Sequence, residues 1–110
     1  MSTVVIDDRY AEALKAFGEV DTQVNEAIEH YLIDRIRDRL EFVREREREY
    51  ESKYGLDYET FSRRIQLEEE YYNEVNRANP LWEQDWLSWM YWHEEVQDWT
   101  EKLNSVLNKS

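Results

Sequence analysis

The chain has 110 residues, no cysteine, 26 acidic against 14 basic side chains and a formal net charge of -12. That length allows one domain with a modest core. The acidity excludes a general nucleic-acid binder and points to positively charged partners, and the missing thiols exclude disulfides and thiolate zinc sites.

Ser2 to Asp7 reads Ser-Thr-Val-Val-Ile-Asp, the one β-branched run, and is a short strand candidate. A lone strand has two unpaired edges, so it must pair with another chain. From Arg9 to Phe17, the residues Tyr10, Ala13, Leu14 and Phe17 fall at helical steps, and Gly18 suits the left-handed turn after a helix. Asp21 or Thr22 then caps a far longer helix, with Val24, Ala27, Ile28, Tyr31, Leu32, Ile36, Leu40 and Val43 on its apolar stripe. Between Arg44 and Glu51 arginine and glutamate alternate, so opposite charges meet at i,i+3, the pattern of a solvated helix face. At ~1.5 Å per residue, Gln23 to Tyr54 would span ~48 Å. A compact chain of this size has a radius of gyration near ~13 Å, so an elongated molecule is expected.

Gly55 stops that helix and Asp57 starts the next, a weakly amphipathic one that carries Phe61, Ile65, Tyr72 and Val75 on a stripe interrupted by Glu68. Asn79 as N-cap and Pro80 at the first helical position open the last element. In it Trp82, Trp86, Trp89, Trp92, Val96, Trp99, Leu103 and Val106 recur at steps of four, three, three, four, three, four and three, while Glu83, Glu94, Glu95, Asp98 and Glu101 fall off the stripe. Such a stripe is the common mark of a bundle core. Leu87, Met90 and Tyr91 widen it beyond what one neighbouring helix covers, and interface cores favour Trp, Tyr and Met. The helix therefore reads as a partner-binding surface made of Trp82, Trp86, Trp89, Met90, Trp92, Glu94, Glu95, Asp98 and Trp99.

The order Val4-Val5-Ile6, Ala13-Leu14, Phe17-Gly18, then Val24 to Ile28 and Tyr31-Leu32, resembles the ribbon-helix-helix family over about the first 35 residues. In that family one strand per chain pairs across a two-fold axis and two helices close the core. The resemblance implies a homodimer built on Val4, Ile6, Leu14, Phe17, Val24, Ile28 and Leu32. Many members are antitoxins whose C-terminal extension wraps a toxin, and the acidic, aromatic extension here is similar to such an arm. The strand faces offer Thr3, Val5 and Asp7, or Val4 and Ile6, instead of the polar or basic side chains that DNA-binding members place in the major groove. Dimerisation is thus implied and DNA recognition is not.

Neither histidine stands in a metal-site spacing. His30 and His93 are not preceded three positions earlier by glutamate, and His93-Glu94-Glu95 is not the zinc-protease motif. Without a phosphate loop or nucleophile elbow either, no enzyme activity, cofactor or metal is expected. No apolar stretch is long enough to span a membrane and no leader pattern opens the chain, so the expected location is cytoplasmic.

The expected fold is mainly α: a short N-terminal strand followed by long helices in an elongated, dimeric assembly. Residues 1–36 form the dimerisation segment, 37–78 the charged connecting helices and 79–110 the acidic tryptophan-rich arm. The expected function is that of an antitoxin-like protein neutralising a cognate basic toxin, a nuclease or nucleotide-modifying enzyme. The alternatives are an acidic nucleic-acid mimic of the anti-restriction or anti-CRISPR kind, and a structural helical oligomer.

Overall fold

The computed structural model describes residues 5–108. They form five helices in chain order: α1 (Asp8–Lys15), α2 (Val20–Tyr54), α3 (Tyr58–Leu67), α4 (Glu69–Ala78) and α5 (Trp82–Leu107). The expected N-terminal strand is corrected. Val5, Ile6 and Asp7 lie in irregular backbone, no strand occurs among the described residues, and Ser2 to Val4 lie outside them. A strand needs an edge to bond to, and this helical chain provides none. Asp7 instead caps α1, its carboxylate accepting from the Arg9 N–H at 3.0 Å. The ribbon of a ribbon-helix-helix fold is therefore not formed here, and its second helix is replaced by one continuous helix of 35 residues.

α2 and α5 lie side by side and run antiparallel. Tyr54 meets Asp85, Tyr50 stacks on Trp89 and Glu47 meets His93, so one number rises as the other falls, and Phe42 meets Trp92 on the flank of the pair. The α2 seam is Ile36, Leu40, Val43, Glu47, Tyr50 and Tyr54, at alternating steps of four and three, and the tryptophan stripe of α5 is its complement. The molecule measures 68 × 26 × 20 Å with a radius of gyration of 22.0 Å. The expected elongation holds because α2 is longer than α5 and its N-terminal part runs past the end of the pair, carrying only α1.

Between the two long helices, α3 and α4 fold back at one end. Gly55 adopts the left-handed conformation (φ 70°) and donates its N–H to the Glu51 carbonyl at 2.7 Å, ending α2 as its sequence suggests. Asp57 then caps α3 through the Thr60 N–H at 2.7 Å, and this bond is the first cause of its lowered pKa. The single helix expected from Asp57 to Val75 is in fact two, because Glu68 takes an extended conformation. A straight continuation would carry the end of this segment away from the core. The break returns Tyr71 to the edge of Phe61 and brings Tyr72 against Trp82. Asn79 caps the C-terminus of α4, its N–H on the Val75 carbonyl at 2.7 Å, and α5 begins only at Trp82.

Phe61, Ile65, Val75, Trp82 and Trp89 make the core, with Tyr50, Tyr54, Leu56, Tyr58, Tyr71 and Trp86 packed around it. It is an aromatic core at the closed end of a helical hairpin. Two indoles on its edge are tied down by hydrogen bonds, Trp86 Nε1 to Ser62 Oγ at 2.8 Å and Trp82 Nε1 to Asn76 Oδ1 at 3.2 Å.

Candidate partner-binding surface

Around α5 the side chains fall on four sides, because successive residues turn by ~100°. The seam turned to α2 holds Trp82 and Trp89, which are buried, with Val96 and Leu103 half-buried. One flank, under α3, holds Trp86 and His93. The other holds Trp92, Glu95 and Trp99. The outward side holds Glu83, Leu87, Tyr91, Glu94, Asp98 and Glu101, with Met90 at its border.

The expected partner-binding residues are accordingly divided. Trp82 and Trp89, expected on a partner surface, lie instead in the chain's own core. Trp86 is half-buried and bonded to α3. Trp92 and Trp99 are half-buried on the open flank, and Met90, Glu94 and Asp98 reach solvent. The physical reason is that α2 presents a seam of matching period to the same stripe that the tryptophans occupy. Of the expected dimerisation residues, Val4 lies outside the described residues, Ile6, Leu14 and Val24 are half-buried, and Phe17, Ile28 and Leu32 are exposed. α1 is held to α2 by Gln23 Nε2, which donates to the Leu14 carbonyl at 2.8 Å.

The outward side of α5 mixes exposed apolar groups with unpaired charge. Leu87 is 60% exposed and Tyr91 50%, far above what a core role would leave. Among the described residues no cation stands within ion-pair distance of Glu83, Glu94, Asp98 or Glu101. The Glu95 carboxylate, one turn along the helix, raises the Tyr91 pKa as an acceptor for its hydroxyl and by its charge. The ring lies edge-on to Trp92, 4.8 Å between centroids.

Two polar joints that were not foreseen fasten α5 to α2. At the first, Asp85 Oδ2 accepts from Lys53 Nζ at 2.7 Å and from the Tyr54 hydroxyl at 2.6 Å. Burial pushes the Asp85 pKa up, but the two donors outweigh it and hold the carboxyl below its ordinary value. A group so depressed contributes fully above the unfolded-state value near ~4 and loses that contribution as pH falls through its folded-state value. Asp85→Asn is expected to cost about 1 kcal/mol at pH 7, after allowance for the half-exposed lysine. Denaturant titrations at pH 7 and pH 3 should show the gap between native and variant shrinking at the lower pH. An equal gap at both would mean that the carboxylate charge contributes nothing.

At the second joint the buried Glu47 carboxylate lies 2.6 Å from His93 Nδ1. The imidazole stacks on Tyr58 at 4.5 Å, and its Nε2 lies 3.5 Å from Gln97 Nε2. A sequence signal existed for this pair, since Glu47 continues the Ile36, Leu40, Val43 seam and a carboxylate on a buried seam needs a partner.

Nearby, an open cleft of about 450 Å³ runs along Arg48, Glu51, Ser52, Gly55, Leu56 and Asp57. Burial, with Glu47 and Asp57 close by, raises the pKa of Glu51 there. The Asp57 carboxylate is already engaged in capping α3. Among the described residues no helix is long and apolar enough to cross a membrane. Comparisons with protein-family models, curated proteins and solved structures find no match for this chain.

Proposed function

We propose that this protein acts by binding a basic partner protein through the outward side of α5, in the manner of an antitoxin-type inhibitor. The observation that carries the reading is the exposure of Leu87, Met90 and Tyr91 in a strip bordered by Glu83, Glu94 and Asp98, carboxylates with no cation of their own among the described residues. Apolar and aromatic groups supply affinity at the centre of an interface, and complementary charge at its margin raises the association rate and selects the partner. The strip sits on a helix packed against both α2 and α3. Trp82 and Trp89 anchor its inner side, so little order has to be gained on binding.

The test is comparative capture from extracts of the source cell, with the native chain and with Leu87→Ser and Tyr91→Ala. Both positions are exposed, so the variants keep the fold. A basic protein retained by the native chain should lose tenfold or more of its affinity for each variant, as expected for hot-spot contacts of ~1.4 kcal/mol or more. If every captured protein is held equally by all three chains, the reading fails. The unpaired carboxylates also favour a second reading, a nucleic-acid mimic. In that case the captured protein is displaced by DNA or by salt, and the Leu87 and Tyr91 substitutions leave binding unchanged.

A further inference from the structure

The flank of the hairpin opposite α3 is uncovered. Along α2 it shows Tyr31, Arg35, Arg39, Phe42 and Arg46, and beside them on α5 stand Trp92, Glu95 and Trp99. Between the helices runs a groove of about 590 Å³ lined by Tyr31, Leu32, Arg35, Ile36, Arg39 and Trp99. Phe42, 42% exposed, lies between the guanidiniums of Arg39 and Arg46, each 5.1 Å from its ring centre. In a chain with 26 acidic residues, Arg35 and Arg39 nevertheless have no carboxylate within ion-pair distance among the described residues.

We propose that this flank is the interface of a homodimer, in which a second copy lays its own flank on the first and closes an up-and-down four-helix bundle. Three observations select a second copy as the occupant. The first is charge complementarity. Arginines dominate the α2 half of the flank, while the α5 half carries Glu95 and, two turns further on, Lys102 folded over the Trp99 ring at 4.9 Å, so the complementarity lies at Glu95. A two-fold axis parallel to the hairpin would place α2 of each copy on α5 of the other. The Lys53–Asp85 and Glu47–His93 contacts set the heights along the pair. They place Glu95 of one copy between Arg39 and Arg46 of the second copy. A two-fold axis across the hairpin would instead lay arginines on arginines. The second is helix direction, since stacking two antiparallel hairpins about either axis makes every neighbouring pair in the bundle antiparallel, the arrangement favoured by helix dipoles. The third is area. Over the length where the two helices lie side by side, Leu32 to Tyr54 on α2, the flank runs ~33 Å at ~1.5 Å per residue, and two helices of ~10 Å make it ~20 Å wide. That is a projected ~660 Å² per copy, within the range of stable interfaces.

The flank is distinct from the outward side of α5, which the dimer leaves free. Sedimentation equilibrium of the full chain should give a mass of twice 13.6 kDa at micromolar concentration. Arg46→Glu and Glu95→Arg should each weaken the dimer about tenfold or more, and the chain carrying both substitutions should return to within about threefold of native. Circular dichroism of the single variants reports whether these exposed substitutions leave the helices intact. Trp99→Ala, which removes part of the groove wall, should weaken the dimer without charge change. The proposal is overturned by a chain that stays monomeric up to about 100 μM, which would leave the flank to a different protein, or by a dimer that both charge reversals and Trp99→Ala leave unaltered, which would place the contact away from this flank.

Discussion

Trp89→Ala is expected to lower the free energy of unfolding by about 3–5 kcal/mol, a large part of the ~5–15 kcal/mol available to a domain of this size. The indole has no exposed surface. Tyr50 and Tyr54 stack beside it with centroids 5.9 Å away in both cases, Tyr58 meets it edge-on at 5.7 Å, and Phe61 lies tilted at 5.3 Å. One ring therefore joins α2, α3 and α5. Its removal leaves a cavity that rigid aromatic neighbours fill poorly, so the cost belongs at the upper end of large-to-small substitutions. One detail separates size from polarity. The Trp89 Nε1 is buried without a hydrogen-bond partner, and such a donor carries a desolvation penalty of ~1–3 kcal/mol. Trp89→Phe removes that donor while keeping most of the ring, and should cost less than half as much as the alanine. Chemical denaturation followed by far-ultraviolet circular dichroism measures both. Equal losses for the two substitutions would mean that the cavity is not what decides the effect.

The Glu47–His93 joint gives the second large effect. His93→Ala leaves the Glu47 carboxylate buried and without its 2.6 Å partner, which is expected to cost about 2–3 kcal/mol. The loss is less than for a fully enclosed pair because both side chains retain some contact with water. Part of it comes from the Tyr58 stacking contact, so Glu47→Leu supplies the comparison. It removes the charge and fills the seam with an apolar group, and should be much milder than His93→Ala, or even stabilising. The double variant Glu47→Leu, His93→Ala should then be more stable than His93→Ala alone. If it is less stable, the penalty does not arise from an orphaned carboxylate, and the pair is a minor contact between two helices.

These effects bear on the proposed function because the outward side of α5 depends on its inward side. Leu87, Met90 and Tyr91 can be offered to a partner only while Trp82 and Trp89 hold the helix against α2. Variants at the inward positions should lose binding by unfolding, and variants at the outward positions should lose it with the fold intact. This separation was not available from the stripe alone, which admitted both a core and a contact surface for the same tryptophans.

Several elements could be read directly from local chemistry. Gly55 needed the left-handed conformation, Asp57 had a free helix start within reach, and the seam positions of α2 and α5 recur at the step that brings them to one face. The helical class, the long central helix, the elongated shape and the aromatic stripe all follow from such short-range rules, in which a residue's neighbours in sequence are its neighbours in space. The N-terminal strand was misread for the complementary reason. β-branched residues at Thr3 to Ile6 favour extended backbone, but a strand exists only with a partner edge, and Asp7 committed its side chain to starting α1 instead.

Only the tertiary structure decided which faces of the helices are used. Glu68 carries no breaking signal, yet the chain bends there because Tyr71 and Tyr72 gain contacts with Phe61 and Trp82 by turning back. The seam marks Glu47 as a carboxylate in need of a partner, but that the partner is His93, and that Asp85 meets Lys53 and Tyr54, is decided across separations that no local pattern encodes. The division of α5 into a core seam, a flank covered by α3, an open flank and an outward acidic strip is likewise a property of how five helices share space. Periodicity states which residues lie on one face of a helix, but burial of that face depends on whether another element of equal length and matching period arrives to cover it. For Trp82 and Trp89 one did, and for Leu87, Tyr91 and the flank of Phe42 none among the described residues does.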